Sequence, residues 1–183
     1  IVMSSDHGDY LGDHWMGEKE LFHDQSARVP LIVYDPRAEA DQTRGTSSDA
    51  LVEMIDLAPT FLKGFGGKDL PHILEGRDLT PLLWGEPVEW REYAISEYDY
   101  CSREARKILG IKQEDARLIM CCDARWKYFQ CEGFRPMLFD LETDPDELQD
   151  LGASEVAEHV AVCTRMEVAI SRWARQHHTR ITK

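Results

Sequence analysis

Asp6 and His7 stand side by side in IVMSSDHG, where a short apolar run breaks into polar residues. A carboxylate and an imidazole so placed can both face one cation when the backbone turns, and Gly8 permits such a turn. Two ligands do not make a site, so further donors have to come from elsewhere. Lys19 follows His7 by 12 residues, past Gly12 and Gly17, and can return to the same place as a fixed positive charge. The plain structural alternative is a strand-end turn in which Asp6 caps backbone amides. The three letters DHG alone do not separate the two.

The elements that must hold these residues are legible as patterns. IVMSSDHG reads as a buried parallel strand at its C-terminal end, which is where open α/β sheets place their ligand sites. SARVPLIVYDP reads as a second such strand, with Leu31 to Tyr34 at its apolar centre and Pro36 closing it. SSDALVEMIDLAPTFLKGFGG predicts a helix capped at Ser48 or Asp49, apolar at Leu51, Met54, Ile55, Ala58, Phe61 and Leu62, kinked or restarted by Pro59, and ended by Gly64 to Gly67. A short helix follows around Pro81 to Trp84, then a strand from Tyr93 to Glu97. Farther on, Leu118–Cys122 should pair with Trp126–Cys131 through a turn at Asp123-Ala124. Pro136–Leu141 should add a third strand, and ETDPDE a turn. The tail carries Val156, Val160, Cys163, Met166, Ile170 and Trp173 along one helical stripe.

The expected fold is therefore α/β over residues 1–90, followed over 91–183 by a small antiparallel sheet and a long C-terminal helix. The first part has too few strands to complete a doubly wound sheet, and the chain opens within a strand. It reads as a piece of something longer.

Bulk properties narrow the chemistry. At 183 residues the chain can bury a sizeable core, and 43% hydrophobic with 30% charged residues is ordinary for a globular protein. A net charge of −13 argues against nucleic-acid or anionic-membrane partners. Five cysteines without a CxxC pair suit a reducing, cytoplasmic setting better than a disulfide framework. No apolar run approaches the roughly 20 residues of a membrane helix.

Taken in order, SDHGxxLGxH, a Lys 12 residues after the His, and SxRVPLIV closely resemble the sulfatase family of the alkaline-phosphatase-like superfamily. DLAPTFL, GRDLTPLLWGE, RWKYF and LFDLETDPDELQDL continue the resemblance over nearly the whole chain, which corresponds to the C-terminal part of such an enzyme. LGDHW and FHDQSARVPLIVYDP look most like phosphonate monoester hydrolases and their arylsulfatase relatives. The resemblance implies that Asp6 and His7 are the second pair of metal ligands and that Lys19 contacts the substrate's anionic oxygens. Many sulfatases carry Asn where this chain has His7. An all-oxygen set suits Ca²⁺, whereas a His favours Mn²⁺ or a similar metal, with Zn²⁺ or Mg²⁺ behind them. The implied reaction is hydrolysis of a small anionic sulfate, phosphonate or phosphate ester by a protein expected to be a homo-oligomer.

The family's nucleophile, a formylglycine made from Cys or Ser in C/S-x-P/A-x-R, is not in this chain and is expected upstream. CCDAR and CEGFR come near, but Asp123 and Gly133 stand where Pro or Ala belongs. The isolated chain should therefore be inactive. Alternatives are a phosphodiesterase or phosphatase with a Thr or Ser nucleophile, and a non-catalytic binding module.

Other features have structural readings. His14 and His23, given no role by the resemblance, are expected at the surface or in support of the site. Arg28 should pair ionically to hold the second strand. GFGGK before Asp69 should be a helix cap, since it lacks a following Ser or Thr. Asp140, Asp144 and Asp146 should form a turn, because the Gly and the closing Glu of a calcium loop are missing. Cys121, Cys122, Cys131 and Cys163 should pack as small hydrophobes. His177-His178 should end the last helix.

Overall fold

The structure, a computed structural model, describes residues 1–68, 70 and 73–176; His177 and His178 lie outside them. The chain divides into two compact units: Ile1–His7 with Val29–Glu92, and Gly8–Arg28 with Tyr93 onward.

In the first unit, β1 (Val2–Ser4) pairs with β2 (Leu31–Val33), Val2 facing Val33 and Ser4 facing Leu31. The pairing is antiparallel, not the parallel arrangement expected. Neither strand is fully buried, since Met3 and Ile32 are more than half exposed. The apolar run therefore reflected one covered face, not two.

The helix expected from Ser48 or Asp49 starts later. Met54–Asp56 forms a 3-10 turn and α2 spans Leu57–Gly64. Pro59 lies in the first turn of α2, where a missing N–H breaks no intrahelical bond, so it marks the start and makes no kink. Gly66, at φ 76°, closes α2: its N–H reaches the Lys63 carbonyl at 2.9 Å, and Gly67 N–H the Leu62 carbonyl at 2.8 Å. Asp56 is fully buried and organises what surrounds it. It accepts N–H groups from Glu53 and Arg77 at 2.8 and 2.7 Å, and two guanidinium bonds from Arg91 at 2.5 and 2.6 Å. A short helix, α3 (Thr80–Leu83), follows.

The second unit is a four-stranded antiparallel sheet in the order β3 (Ala94–Asp99), β4 (Arg117–Cys122), β5 (Trp126–Cys131), β6 (Met137–Asp140). A short helix not expected from the sequence, α4 (Glu104–Leu109), lies between β3 and β4, and α5 (Ala157–Gln176) completes the unit. β4 and β5 read as nearly unbroken apolar runs because both faces of the sheet are covered. Ile119, Cys121, Trp126, Tyr128 and Leu138 pack with Val162, Met166 and Ile170 of α5. Met120, Phe129 and Phe139, on the opposite face, pack with Phe22. Burying side chains of the size of Leu138, Met166 and Ile170 stabilises the unit by about 1.5–3 kcal/mol each. The α5 stripe differs from expectation at its start. Val156 and Val160 are half exposed, and Val162 is buried instead.

Candidate functional site

Asp6 and His7 follow β1 directly. Ser5 Oγ donates to the His7 carbonyl at 2.7 Å, bending the chain back after the strand. This turn brings His7 Nε2 to 3.6 Å from Asp6 Oδ2, with the Asp6 side chain 85% and the His7 side chain 38% exposed. Two donors held near 2.1 Å from one ion lie about 3–3.5 Å apart, so the pair nearly has chelating spacing. It is also an ordinary carboxylate–imidazole ion-pair distance. Among the described residues no group of three or more His, Cys, Asp and Glu side chains is gathered to hold a metal. The spacing therefore does not distinguish shared coordination of one ion from an ion pair, and the described residues gather no third ligand beside it.

Gly8 does not turn through a left-handed conformation. Its requirement is closeness: a Cβ there would fall on the backbone carbonyl of Gln25, and Gly8 N–H donates to the Ser26 carbonyl at 2.8 Å.

Lys19 belongs to the other unit, on the excursion Gly8–Arg28, and is exposed. Around it the backbone is unusual. Leu11, His14, Trp15, Glu18 and Leu21 all have positive φ, between 49° and 74°. Each such residue costs roughly 1–2 kcal/mol, so other contacts must hold the segment. They are visible. Tyr10 N–H bonds the Glu18 carbonyl at 2.9 Å and Ser26 Oγ bonds the Lys19 carbonyl at 2.6 Å, bracketing Lys19 on both sides. Ser26 sits on α1 (Asp24–Ala27) and is buried.

His23 corrects the expectation of a surface position. It is 5% exposed, with Tyr10 Oη and its own Nδ1 2.8 Å apart, and its ring meets Phe129 and Phe139 edge-on. Burial, reinforced by His14 and Lys127, pushes its pKa down to about 4. Burial raises the Tyr10 hydroxyl to about 12. His14 stacks on His23 with ring centres 4.0 Å apart, and its buried Nε2 meets no hydrogen-bond partner among the described residues.

Sequence reasoning missed an ionic cluster beside these rings. Lys127, on β5, is buried and pairs with Asp24 Oδ1 and, at 2.8 Å, with Glu147 Oε1. Glu147 Oε2 also accepts the Asp24 N–H at 2.6 Å. Burial pushes the Glu147 carboxyl up, and Lys127 pulls it partly back. The available signal was the lysine of RWKYF, a charge within an apolar strand. Nothing in ETDPDE marked Glu147 as the buried acid.

The remaining expected features are structural. Arg28 pairs at 3.2 Å with Asp24 on α1, not with β2. Asp140 binds Arg125 through two bonds of 3.0 and 2.7 Å, and Asp144 accepts the N–H groups of Leu148 and Gln149, forming a turn. Cys121 is buried, and burial raises the thiols of Cys122, Cys131 and Cys163, leaving them poor nucleophiles. A cavity of about 720 Å³ in the second unit is walled by Leu21, Tyr98, Leu118, Phe134 and Met137. Its charged rim is already paired, Arg103 with Glu20 at 2.7 Å and Arg135 with Asp150 at 2.6 Å. Neither Lys19, Asp6 nor His7 lines it. Among the described residues no helix is long and apolar enough to cross a membrane.

Comparison with known proteins supplies the family. The family model described as N-sulphoglucosamine sulphohydrolase, C-terminal, matches residues 12–176. The multifunctional alkaline phosphatase superfamily protein PehA of Trinickia caryophylli is 32% identical over 184 residues, covering 98% of this chain and 35% of that protein. The N-acetylglucosamine-6-O-sulfatase of Bacteroides thetaiotaomicron is 31% identical over 163 residues, covering 86% of this chain and 27% of that one. The crystal structure of the phosphonate monoester hydrolase of Agrobacterium radiobacter matches with a TM-score of 0.84 at 32% identity, covering 97% of this chain and 35% of that one. The chain thus spans about a third of the length of the relatives it matches. It belongs to the sulfatase family of the alkaline-phosphatase-like superfamily, as a C-terminal part.

Proposed function

We propose that the protein containing this chain hydrolyses small anionic sulfate, phosphonate or phosphate esters, using a divalent metal ion for which Asp6 and His7 supply two ligands. The observation carrying this reading is family membership over residues 12–176, with relatives named both as sulfatases and as a phosphonate monoester hydrolase. A carboxylate and an imidazole suit Mn²⁺ or a similar metal ahead of Ca²⁺. Such an ion would polarise an ester oxygen as a Lewis acid. Asp6, accessible at the end of β1, offers the anionic donor, and His7 the neutral one. Lys19 offers a fixed ammonium to the substrate's non-bridging oxygens, where negative charge accumulates as the ester bond breaks. The attacking group, a formylglycine, would come from residues upstream of this chain.

The experiment uses the full-length protein. Its metal content is measured before and after Asp6→Ala. Its mass is checked for conversion of an upstream Cys or Ser to the aldehyde. Turnover is followed with an aryl sulfate and an aryl phosphonate monoester. Metal lost in Asp6→Ala, an aldehyde, and turnover of either ester are expected. Metal retention in Asp6→Ala refutes the ligand assignment, and no hydrolysis of either ester refutes the activity. Turnover with an unmodified Thr or Ser assigns a phosphatase-type nucleophile instead.

A further inference from the structure

We propose that Asp24, Lys127 and Glu147, acting through Ser26, are positioning residues for Lys19. The inference deepens the proposed function and rests on its reading of Lys19.

All of these residues belong to the second unit. Lys19 is carried on a segment whose backbone is strained at five non-glycine residues, so it does not hold its shape by local preference. What holds it is a path of partly buried polar contacts that starts at buried Lys127 and Glu147 and ends at buried Ser26. Lys127 and Glu147 come from β5 and from the turn after β6, respectively 103 and 123 residues from Asp24. They meet Asp24 at its side chain and at its backbone N–H, fixing the first residue of α1 in place and orientation. Two residues on, Ser26 turns its buried hydroxyl to the Lys19 carbonyl at 2.6 Å. Tyr10 completes the bracket: its N–H holds the Glu18 carbonyl, and its hydroxyl meets His23, the residue before α1. Both ends of the path are buried, where hydrogen bonds are strongest and most costly to break. The Lys19 side chain is left exposed, with its main chain fixed. A long, flexible cation gains precision only when its backbone is held, and misplacement by about 1 Å is enough to cost rate.

A double-mutant cycle in the full-length protein tests this. Ser26→Ala removes one hydrogen bond and is expected to lower kcat/KM for the aryl ester about two- to tenfold. In a Lys19→Ala background the same substitution should cost nothing further, because Ser26 acts only through Lys19. Asp24→Asn should show the same loss and the same non-additivity. Hydrogen exchange provides a readout independent of activity, and amides of residues 10–20 should exchange faster in Asp24→Asn than in the parent. Additive losses, or unchanged kcat/KM in Ser26→Ala and Asp24→Asn, overturn the positioning role. Should Lys19→Ala itself leave kcat/KM intact, the functional reading of Lys19 falls. Exchange alone then decides the anchor: faster exchange keeps it, and unchanged exchange overturns it as well.

Discussion

Replacing Lys127 with Met removes the buried cation that pairs with both Asp24 and Glu147, taking the counter-charge from the buried Glu147 carboxyl and leaving Asp24 paired with the exposed Arg28. Lys127 Nζ lies 2.8 Å from Glu147 Oε1, which at an effective dielectric of 20 corresponds to about 6 kcal/mol of attraction before desolvation is subtracted. The desolvation of all three groups offsets much of this, and breaking a buried pair by removing one partner typically costs about 3–5 kcal/mol. The same range is expected here at pH 8, equivalent to a fall in Tm of about 6–20 °C. The loss should depend on pH with a definite sign. Burial already raises the Glu147 carboxyl above its ordinary value, and removing Lys127, which lowers it, raises it further. A carboxyl raised in the folded state binds its proton there more readily than in the unfolded chain, so the variant regains stability as pH falls toward the ordinary carboxylate range. Urea denaturation of variant and parent at pH 8 and pH 5 measures both. A loss below about 1 kcal/mol at pH 8, or an equal loss at both values, would falsify the account of a buried, mutually dependent cluster. The companion variant Asp24→Asn/Lys127→Met/Glu147→Gln, which leaves none of the three charged, should recover part of the loss.

Gly8→Ala places a methyl against the Gln25 carbonyl, so it should destabilise by about 1–3 kcal/mol, as overpacking does; thermal melting that matches the parent would show that the close approach is absent. His23, held near pKa 4 by burial and ordinarily near 6.5, binds fewer protons folded than unfolded between those values. Its contribution of about 3 kcal/mol is complete above pH 6.5 and is lost as pH falls toward 4. His23→Gln should flatten that part of the stability profile, and a profile as steep as the parent's would rule His23 out as its source.

Residue patterns alone revealed the hairpin from Leu118 to Cys131, the third strand, the cap after α2 and the long last helix. Each depends on local signals that neighbours in sequence supply: apolar runs, turn residues, a glycine in the left-handed region. Asp6, His7 and Lys19 were singled out by residue type and order, and the roles expected of them came from the family resemblance. The strand direction of β1 was not legible, because a three-residue apolar run is the same whether its partner runs parallel or antiparallel. Nor was the start of α2, where Pro59 fits a first turn as well as a kink.

Tertiary structure alone decided what supports Lys19. Asp24, Lys127 and Glu147 meet across more than a hundred residues, and no spacing rule connects them. Burial of Lys127 and Glu147 makes them depend on each other and on partly buried Asp24, and places the His23 imidazole in the core instead of at the surface. Chemical identity is written in the sequence residue by residue. Desolvation and long-range partners, which decide how those identities behave, exist only once the sheet has both faces covered.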